Sequence, residues 1–153
     1  MNKKKTKKLP RLLFAAPGSG SGKTVITCGI LALLQRRGIF CVSYKCGPDY
    51  IDPMFHQYVL GIPGYNLDSF FLPPDQVHSL LEEKSGGADM AVMEGAMGYY
   101  DGVAGTTTHA SAYEIAQITD TPVVLVVDGK KSSLSLAAMV KGFLEYRTDS
   151  HIG

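Results

Sequence analysis

The sequence lacks a strong net charge, a long apolar run and any metal-ligand spacing of its cysteines and histidines. The formal net charge is only +1, so the chain as a whole has little attraction to nucleic acid or to an anionic membrane, and we expect neither as a partner. No stretch approaches the roughly 20 apolar residues that a membrane-spanning helix needs. The three cysteines are odd in number, which indicates a reducing compartment, and we expect the cytoplasm.

Lysines crowd the first ten residues, and the apolar residues 12–16 that follow are too few for the core of a signal peptide. We therefore predict that residues 1–10 are a basic, solvated and flexible tail. Residues 11–153 are enough for one domain with a sizeable core, and we expect them to form the folded part.

Short apolar runs and amphipathic segments follow one another along the chain. Unalternating runs are typical of strands buried on both faces, and they are residues 11–16, 40–44, 90–93 and 123–127. The helical patterns cover residues 23–37, 52–60, 74–85, 110–119 and 133–146. This succession predicts an α/β fold with a mostly parallel sheet and helices on both faces. Four strands make a thin sheet, so we expect a truncated sheet and a fragment of a longer protein.

A glycine-rich loop lies between the first predicted strand and the first predicted helix. Its residues are Gly18, Ser19, Gly20, Ser21, Gly22, Lys23 and Thr24. Glycines let backbone N–H groups turn around phosphate oxygens, and the helix N-terminus adds partial positive charge. Lys23 can reach the β- and γ-phosphates of ATP, and the Thr24 hydroxyl can ligate Mg²⁺. Pro17 stands where the strict motif has glycine, so the loop is a variant of the phosphate-binding loop.

Acidic residues follow the second and third predicted strands, at the edge of the sheet that carries the phosphate loop. They are Asp49, Asp52, Glu94 and Asp101, and Lys45 is a second candidate cation there. Glu94 has the position of the acid that holds Mg²⁺ in phosphate-loop enzymes. Ordinary roles stay open for the others: Asp49 and Asp101 as turn residues, and Asp52 as a helix N-cap. Four acids beside a triphosphate need Mg²⁺ and a cation to offset their charge.

Three segments resemble the cobyrinic acid a,c-diamide synthase family of cobalamin biosynthesis. They are residues 45–53 (Lys-Cys-Gly-Pro-Asp-Tyr-Ile-Asp-Pro), 66–68 (Asn-Leu-Asp) and 94–102 (Glu-Gly-Ala-Met-Gly-Tyr-Tyr-Asp-Gly). The resemblance covers nearly the whole chain and implies the phosphate-loop fold of dethiobiotin synthetase. It implies ATP-dependent amidation of the a and c acetate carboxylates of a corrin-type macrocycle, cobyrinic acid. ATP would convert each carboxylate to an acyl phosphate, and ammonia would then displace phosphate.

The resemblance also implies roles for individual residues. Lys23 would hold the phosphates, and the Mg²⁺ ligands would be Thr24, Asp49 and Glu94. The residues expected to organise the metal, the acyl phosphate or the incoming ammonia are Lys45, Asp49, Asp52, Glu94 and Asp101. The macrocycle would lie near Tyr50, Ile51, Asn66 and Asp68.

The family obtains its ammonia from glutamine, in a C-terminal amidotransferase domain with a Cys-His-type triad. We expect this chain to correspond to the synthetase half, without that domain, and to hydrolyse no glutamine alone. Whether this half works in isolation and whether it forms a homodimer stay open. Hydrogenobyrinate and nickel-sirohydrochlorin are alternative macrocycles. A partitioning-type nucleotide switch is a weaker alternative, because residues 17–19 lack the lysine with which such switches reach across their dimers.

Overall fold

The computed structural model describes residues 9–153, so residues 1–8 of the predicted tail lie outside the described part. The strands are β1 (Arg11–Ala15), β2 (Cys41–Cys46), β3 (Gly64–Leu67), β4 (Met90–Gly95) and β5 (Val123–Leu125). The helices are α1 (Lys23–Arg36), α2 (Ile51–Tyr58), α3 (Pro74–Lys84), α4 (Ala112–Thr119) and α5 (Leu134–Tyr146), with a 3₁₀ turn at Val103–Gly105. The predicted α/β class is confirmed.

The strands form one parallel sheet in the order β3-β2-β4-β1-β5. Its central strands are buried on both faces: Leu13 packs into one apolar cluster and its neighbour Phe14 into the other. Met93 and Val92 divide between the same two clusters. This explains the unalternating apolar runs of the sequence. Because the strands are parallel, the carboxyl ends of β1, β2 and β4 meet at one edge, where the phosphate loop leaves β1.

Within residues 9–153 the sheet has five strands, and the prediction of four is wrong. The additional strand is β3, a short edge strand of sequence Gly-Tyr-Asn-Leu that pairs with β2. Glycine and asparagine are depleted in strands, so this segment carries little strand signal. β2 and β4 also extend further than predicted, and they therefore include Lys45 and Glu94.

Three helices begin at positions that differ from the prediction, and for α5 the difference is one residue, since it begins at Leu134. Helix α2 begins at Ile51, so Asp52 lies inside its first turn and is not the N-cap. Helix α4 begins at Ala112 rather than Ala110, because Ala110 has a positive φ of 61° that no helix accommodates. Ser111 caps α4, and its side chain accepts a hydrogen bond from the backbone N–H of the third helical residue.

The first and last helices pack differently against the sheet. Helix α1 buries Thr27 and Leu31 and ends at Arg36, before the predicted stop signal Gly38, which has a φ of 74°. Helix α5 has no buried residue within the described part of the chain. Among residues 9–153, none of the helices has the length and apolar character that crossing a membrane requires.

Candidate functional site

The phosphate loop forms an open cradle between β1 and α1. Gly20 and Gly22 have φ angles of 77° and 85°, which residues with a β-carbon rarely adopt. Helix α1 has no side-chain cap at its N-terminus, so its first N–H groups are free to face an anion. A cavity of about 300 Å³ opens over this loop and is lined by Ser19, Gly20, Gly22, Lys23, Thr24, Val25, Lys45, Glu94 and Ala96.

Lys23 is buried beneath the loop and turned toward its backbone. Only 5% of the residue is exposed, and its Nζ donates to the carbonyl oxygen of Gly18 at 3.0 Å. Burial lowers the pKa of Lys23, and the nearby charge of Lys45 lowers it further, against the opposing effects of Glu94 and Asp101. A bound phosphate group would place a negative charge beside the Lys23 ammonium and so favour its protonated form.

Lys45 and Glu94 are direct neighbours in the register of β2 and β4. Lys45 Nζ lies 2.8 Å from Glu94 Oε1 and 2.5 Å from Asp52 Oδ2. Thr24 Oγ1 donates to the same Glu94 oxygen at 2.6 Å. Four residues from α1, β2, α2 and β4 thus converge beside the phosphate cradle, as expected from the parallel sheet.

This cluster holds its charges out of water. Lys45 is 4% exposed and Glu94 is 1% exposed. Burial disfavours the ammonium, but hydrogen bonds with Asp52 and Glu94 outweigh it and raise the pKa of Lys45. Within residues 9–153, Glu94 Oε2 is buried and has no hydrogen-bond partner. An unpaired buried carboxylate oxygen is costly, and a cation would satisfy it.

Asp49 combines a turn role with a place at the edge of the cluster. Its Oδ1 accepts hydrogen bonds from the N–H groups of Ile51 and Asp52 at 3.0 and 3.4 Å, so it satisfies the first N–H groups of α2 from the position before the N-cap, Tyr50. Its Oδ2 lies 3.7 Å from Lys45 Nζ. The amide of Asn66 donates to the carbonyl oxygens of Gly47 and Asp49, both at 2.7 Å, and holds this loop in place.

The remaining predicted site residues lie around the cluster rather than in it. Asp101 is exposed, and its Oδ2 accepts from the N–H of Gly98 at 3.2 Å. Asp68 is 8% exposed and accepts from the N–H of Phe70 at 2.9 Å. Tyr50 and Ile51 are 73% and 78% exposed at the start of α2. The roles predicted for these residues stay predictions.

A larger cavity of about 740 Å³ has Asp101 among its lining residues. Its walls include Tyr100, Phe143, Tyr146 and Arg147, and so it opens between the loop after β4 and helix α5. The glycine-rich loop and Lys23 line the smaller cavity only. The chemistry of the walls therefore favours the smaller cavity for a phosphate, although the other has the greater volume.

The donor set fits a magnesium ion carried with nucleotide. Within residues 9–153, no three carboxylate, histidine or cysteine side chains form a metal cage. Mg²⁺ does not need one, because it keeps several waters and binds one or two carboxylates together with substrate phosphates. The Thr24 hydroxyl, Glu94 with its unpaired oxygen and Asp52 are the oxygen ligands at hand.

Curated proteins are similar in sequence to this chain over most of its length. The chain is 46% identical over 145 residues to hydrogenobyrinate a,c-diamide synthase of Streptomyces coelicolor, covering 95% of the chain and 30% of the relative. It is 47% identical over 134 residues to cobyrinate a,c-diamide synthase of Listeria innocua, covering 87% and 30%. The chain is a homologue of the a,c-diamide synthases. The predicted resemblance is confirmed, and the chain spans about 30% of the length of these relatives.

A third relative, cobyrinate a,c-diamide synthase of Thermoplasma volcanium, is 42% identical over 142 residues. No protein-family profile matches the chain. Among solved structures, the signal recognition particle 54 kDa protein of Aeropyrum pernix K1 in complex with GDP has a TM-score of 0.57 and 19% identity, over 80% of the chain and 30% of that protein. This likeness shows the fold alone and agrees with the predicted α/β fold.

Proposed function

We propose that this chain is the synthetase part of an ATP-dependent enzyme that amidates the a and c acetate carboxylates of cobyrinic acid or a close relative of it. The observation that carries the proposal is the convergence of Thr24, Lys45, Asp52 and Glu94 beside the phosphate cradle. Identity of 46–47% to relatives named for this amidation supports the same conclusion.

The phosphates of ATP would lie over the glycine-rich loop, with Lys23 on the β- and γ-phosphates. Thr24 and Glu94 would hold Mg²⁺, with Asp52 and Asp49 as the next carboxylates. The metal would offset charge between the triphosphate and the substrate carboxylate. Lys45 would give up part of its bonding to Asp52 and Glu94 and turn toward the transferred phosphoryl group.

The chemistry requires two anions to meet. One oxygen of the macrocycle carboxylate attacks the γ-phosphorus, and the bond between that phosphorus and ADP breaks. Ammonia then attacks the carbonyl carbon, phosphate leaves, and the nitrogen loses a proton to give the amide. Lysine side chains beside the site lower the repulsion in the first step. A carboxylate such as Asp49 or Asp101 can hold ammonium and accept its proton in the second.

The macrocycle would lie against the exposed start of α2. Tyr50 and Ile51 expose 73% and 78% of their surface directly beside Asp49 and Asp52. Such an apolar surface at the rim of a charged site suits a large ring with apolar faces and carboxylate side arms. The relatives are named for both cobyrinate and hydrogenobyrinate, so the central metal of the ring stays open.

We also propose that ammonia comes from glutamine hydrolysed by another part of the full-length enzyme. The matched relatives are about three times as long as this chain, since it covers 30% of their length. A homodimer and the cytoplasmic location expected from the cysteines stay predictions.

Trapping of the acyl phosphate tests this proposal directly. With Mg·ATP, cobyrinic acid and hydroxylamine, the purified chain should release ADP and form a macrocycle hydroxamate. Ile51→Ser should weaken the macrocycle dependence of this signal, whereas Leu134→Ser, which changes a leucine that is 84% exposed on α5, should not. ADP release that is indifferent to the macrocycle, without hydroxamate, would contradict the proposal.

A further inference from the structure

A second set of polar contacts joins α1 and α2 one helical turn below the candidate site. Cys28 follows Thr24 by one turn of α1, and His56 follows Asp52 by one turn of α2. Side chains at this spacing lie on the same face of a helix. Thr24 Oγ1 meets Asp52 Oδ2 at 3.4 Å, and below them Cys28 Sγ meets His56 Nε2 at 3.5 Å.

Ser43 connects His56 to the loop before β3. Its Oγ lies 3.0 Å from His56 Nδ1 and 3.3 Å from the carbonyl oxygen of Pro63. The tautomer with the proton on Nδ1 satisfies both contacts and leaves Nε2 to accept from the thiol of Cys28. A chain of polar contacts therefore runs from α1 through α2 to β2 and the residue before β3.

The charges agree with this assignment. Burial lowers the pKa of His56, which is 2% exposed, and so favours the neutral ring. Burial raises the pKa of the Cys28 thiol, and the carboxylates of Glu94 and Asp52 raise it further, so sulfur keeps the proton that it donates. Neither group carries charge that would have to be neutralised beneath the site.

Helix α2 has few other attachments. Among its residues only Pro53 and His56 are buried. Its other apolar side chains, by contrast, are 43–78% exposed: Ile51, Met54, Phe55 and Tyr58. Pro53 packs against Gly64 so closely that a β-carbon there would lie 2.5 Å from the Pro53 carbonyl oxygen. His56 is therefore the buried polar anchor of a helix that carries Asp52.

We propose that His56, held by Cys28 and Ser43, is a positioning residue for the Mg·ATP site. It fixes the register of α2 against α1, so that Asp52 and Thr24 stay close enough to share one ion. This role rests on the proposed function, since it has meaning only if the site binds Mg·ATP. His56 and Cys28 touch neither nucleotide nor substrate, and their effect passes entirely through Asp52 and Thr24.

Cys28 offers the cleanest test, because it is only partly buried and shortening it leaves the packing of α2 largely intact. Calorimetric titration of the 153-residue protein with ATP, over a series of Mg²⁺ concentrations, is the measurement. Cys28→Ala should raise the Kd for Mg·ATP by about tenfold, the scale of losing a partner that orients a metal ligand. Cys28→Ser, which keeps a donor toward His56, should recover most of the affinity. Binding of ATP in EDTA should change much less in either variant.

Cys41→Ala is the matched control, because Cys41 is a fully buried thiol that packs in the apolar cluster on the same face of the sheet. It should bind Mg·ATP as the parent does, even if it unfolds at lower temperature. His56→Asn, which keeps the bond to Ser43 but not the one to Cys28, should behave like Cys28→Ala. If His56→Asn does not fold, the comparison of Mg·ATP affinity between Cys28→Ala and Cys28→Ser still tests the positioning role.

The outcomes separate the two proposals. Loss in Cys28→Ala with recovery in Cys28→Ser supports the positioning role. Equal affinity of Cys28→Ala and the parent would overturn it and leave the proposed function standing. Equal loss in Cys28→Ala and Cys41→Ala would also overturn it, because the effect would be one of general packing. If the parent itself binds no Mg·ATP, the proposed function fails and the positioning role fails with it.

Discussion

Lys45 is surrounded by carboxylates. Its side chain is 4% exposed, and its Nζ lies 2.5–3.7 Å from carboxylate oxygens of Asp49, Asp52 and Glu94. Removing one member of such a buried group leaves the others without compensation, which costs more than the intact group contributes. The same side chain is therefore tied to stability and, in the proposed function, to phosphoryl transfer.

Lys45→Met should lower the free energy of unfolding by ~3 kcal/mol, because it leaves the carboxylates of Asp52 and Glu94 unpaired. The double variant Lys45→Met/Glu94→Gln should lose clearly less than the sum of the single changes, since it removes one of those charges. Urea unfolding of the parent, Lys45→Met, Glu94→Gln and the double variant measures the four free energies of unfolding.

The control for that cycle is Lys141→Met, which breaks an exposed pair with Glu145 on α5. It should change stability by less than ~1 kcal/mol. Additive losses for Lys45 and Glu94, or equal losses for Lys45→Met and Lys141→Met, would show that the buried cluster does not couple these residues.

At this scale the sequence predicts residue identities better than contacts. The phosphate-loop pattern predicted Lys23 and Thr24 as site residues, and the strand-end rule predicted Lys45 and Glu94. The structure places all four along one cavity. The contact of Thr24 with Asp52 joins residues 28 positions apart, and it depends on where α2 docks. The bonds from the first N–H groups of α2 to Asp49 were also missed, because one aspartate on either side of the helix start fits the same pattern.

Among the elements, α4 shows most clearly how local sequence sets a boundary. Ser111 Oγ accepts from the N–H of Glu114 at 3.2 Å, and Glu114 Oε2 accepts from the N–H of Ala110 at 2.6 Å. The sequence Ser-x-x-Glu is that of a capping box and could have been identified, although Glu114 here accepts from the residue before the N-cap rather than from the N-cap itself. The carboxylate of Glu114 also binds Ser69 and so ties α4 to the loop after β3.

Ser111→Ala should destabilise the protein by ~1 kcal/mol, because it removes the acceptor for the first turn of α4. Ser135→Ala, at an exposed position inside α5, should change stability by less than ~0.5 kcal/mol. Thermal unfolding of the two variants compares them. If both variants unfold at the same temperature, Ser111 does not act as a cap.

Strand β3 marks the limit of prediction at the scale of elements. Its residues Gly64–Leu67 include one glycine and one asparagine, and only Leu67 is fully buried. Its backbone pairs with β2 all the same, because an edge strand needs only one neighbour. Long-range pairing rather than local propensity makes this strand, and no pattern within four residues reports it.

At the scale of the whole molecule, the open side of the sheet lies at β5. Ile152 forms a single parallel bridge with Val123 there, and α5 buries none of its side chains within the described residues. The chain covers 30% of the length of the relatives it matches. The described residues nevertheless bring the phosphate loop and the charged cluster of Thr24, Lys45, Asp52 and Glu94 together at one edge of the sheet.

The 153-residue chain should therefore use ammonia and not glutamine. With Mg·ATP and cobyrinic acid, ammonium chloride should support ADP release, and glutamine at the same concentration should not exceed the background. Release of glutamate from glutamine, measured in parallel, should be absent. Glutamate production by the pure chain would mean that these residues carry a glutaminase site that neither the sequence nor the structure indicates.

In the proposed function, the cradle and the charged cluster form one Mg·ATP site whose affinity for ATP changes when the macrocycle binds. Calorimetric titration with ATP, with and without Mg²⁺ and with and without cobyrinic acid, tests it most directly in the parent and in Lys23→Ala. We expect Mg²⁺-dependent binding in the parent, an altered Kd when cobyrinic acid is present, and a large loss of affinity in a folded Lys23→Ala variant. Equal affinity of Lys23→Ala and the parent, or no binding by the parent, would contradict it.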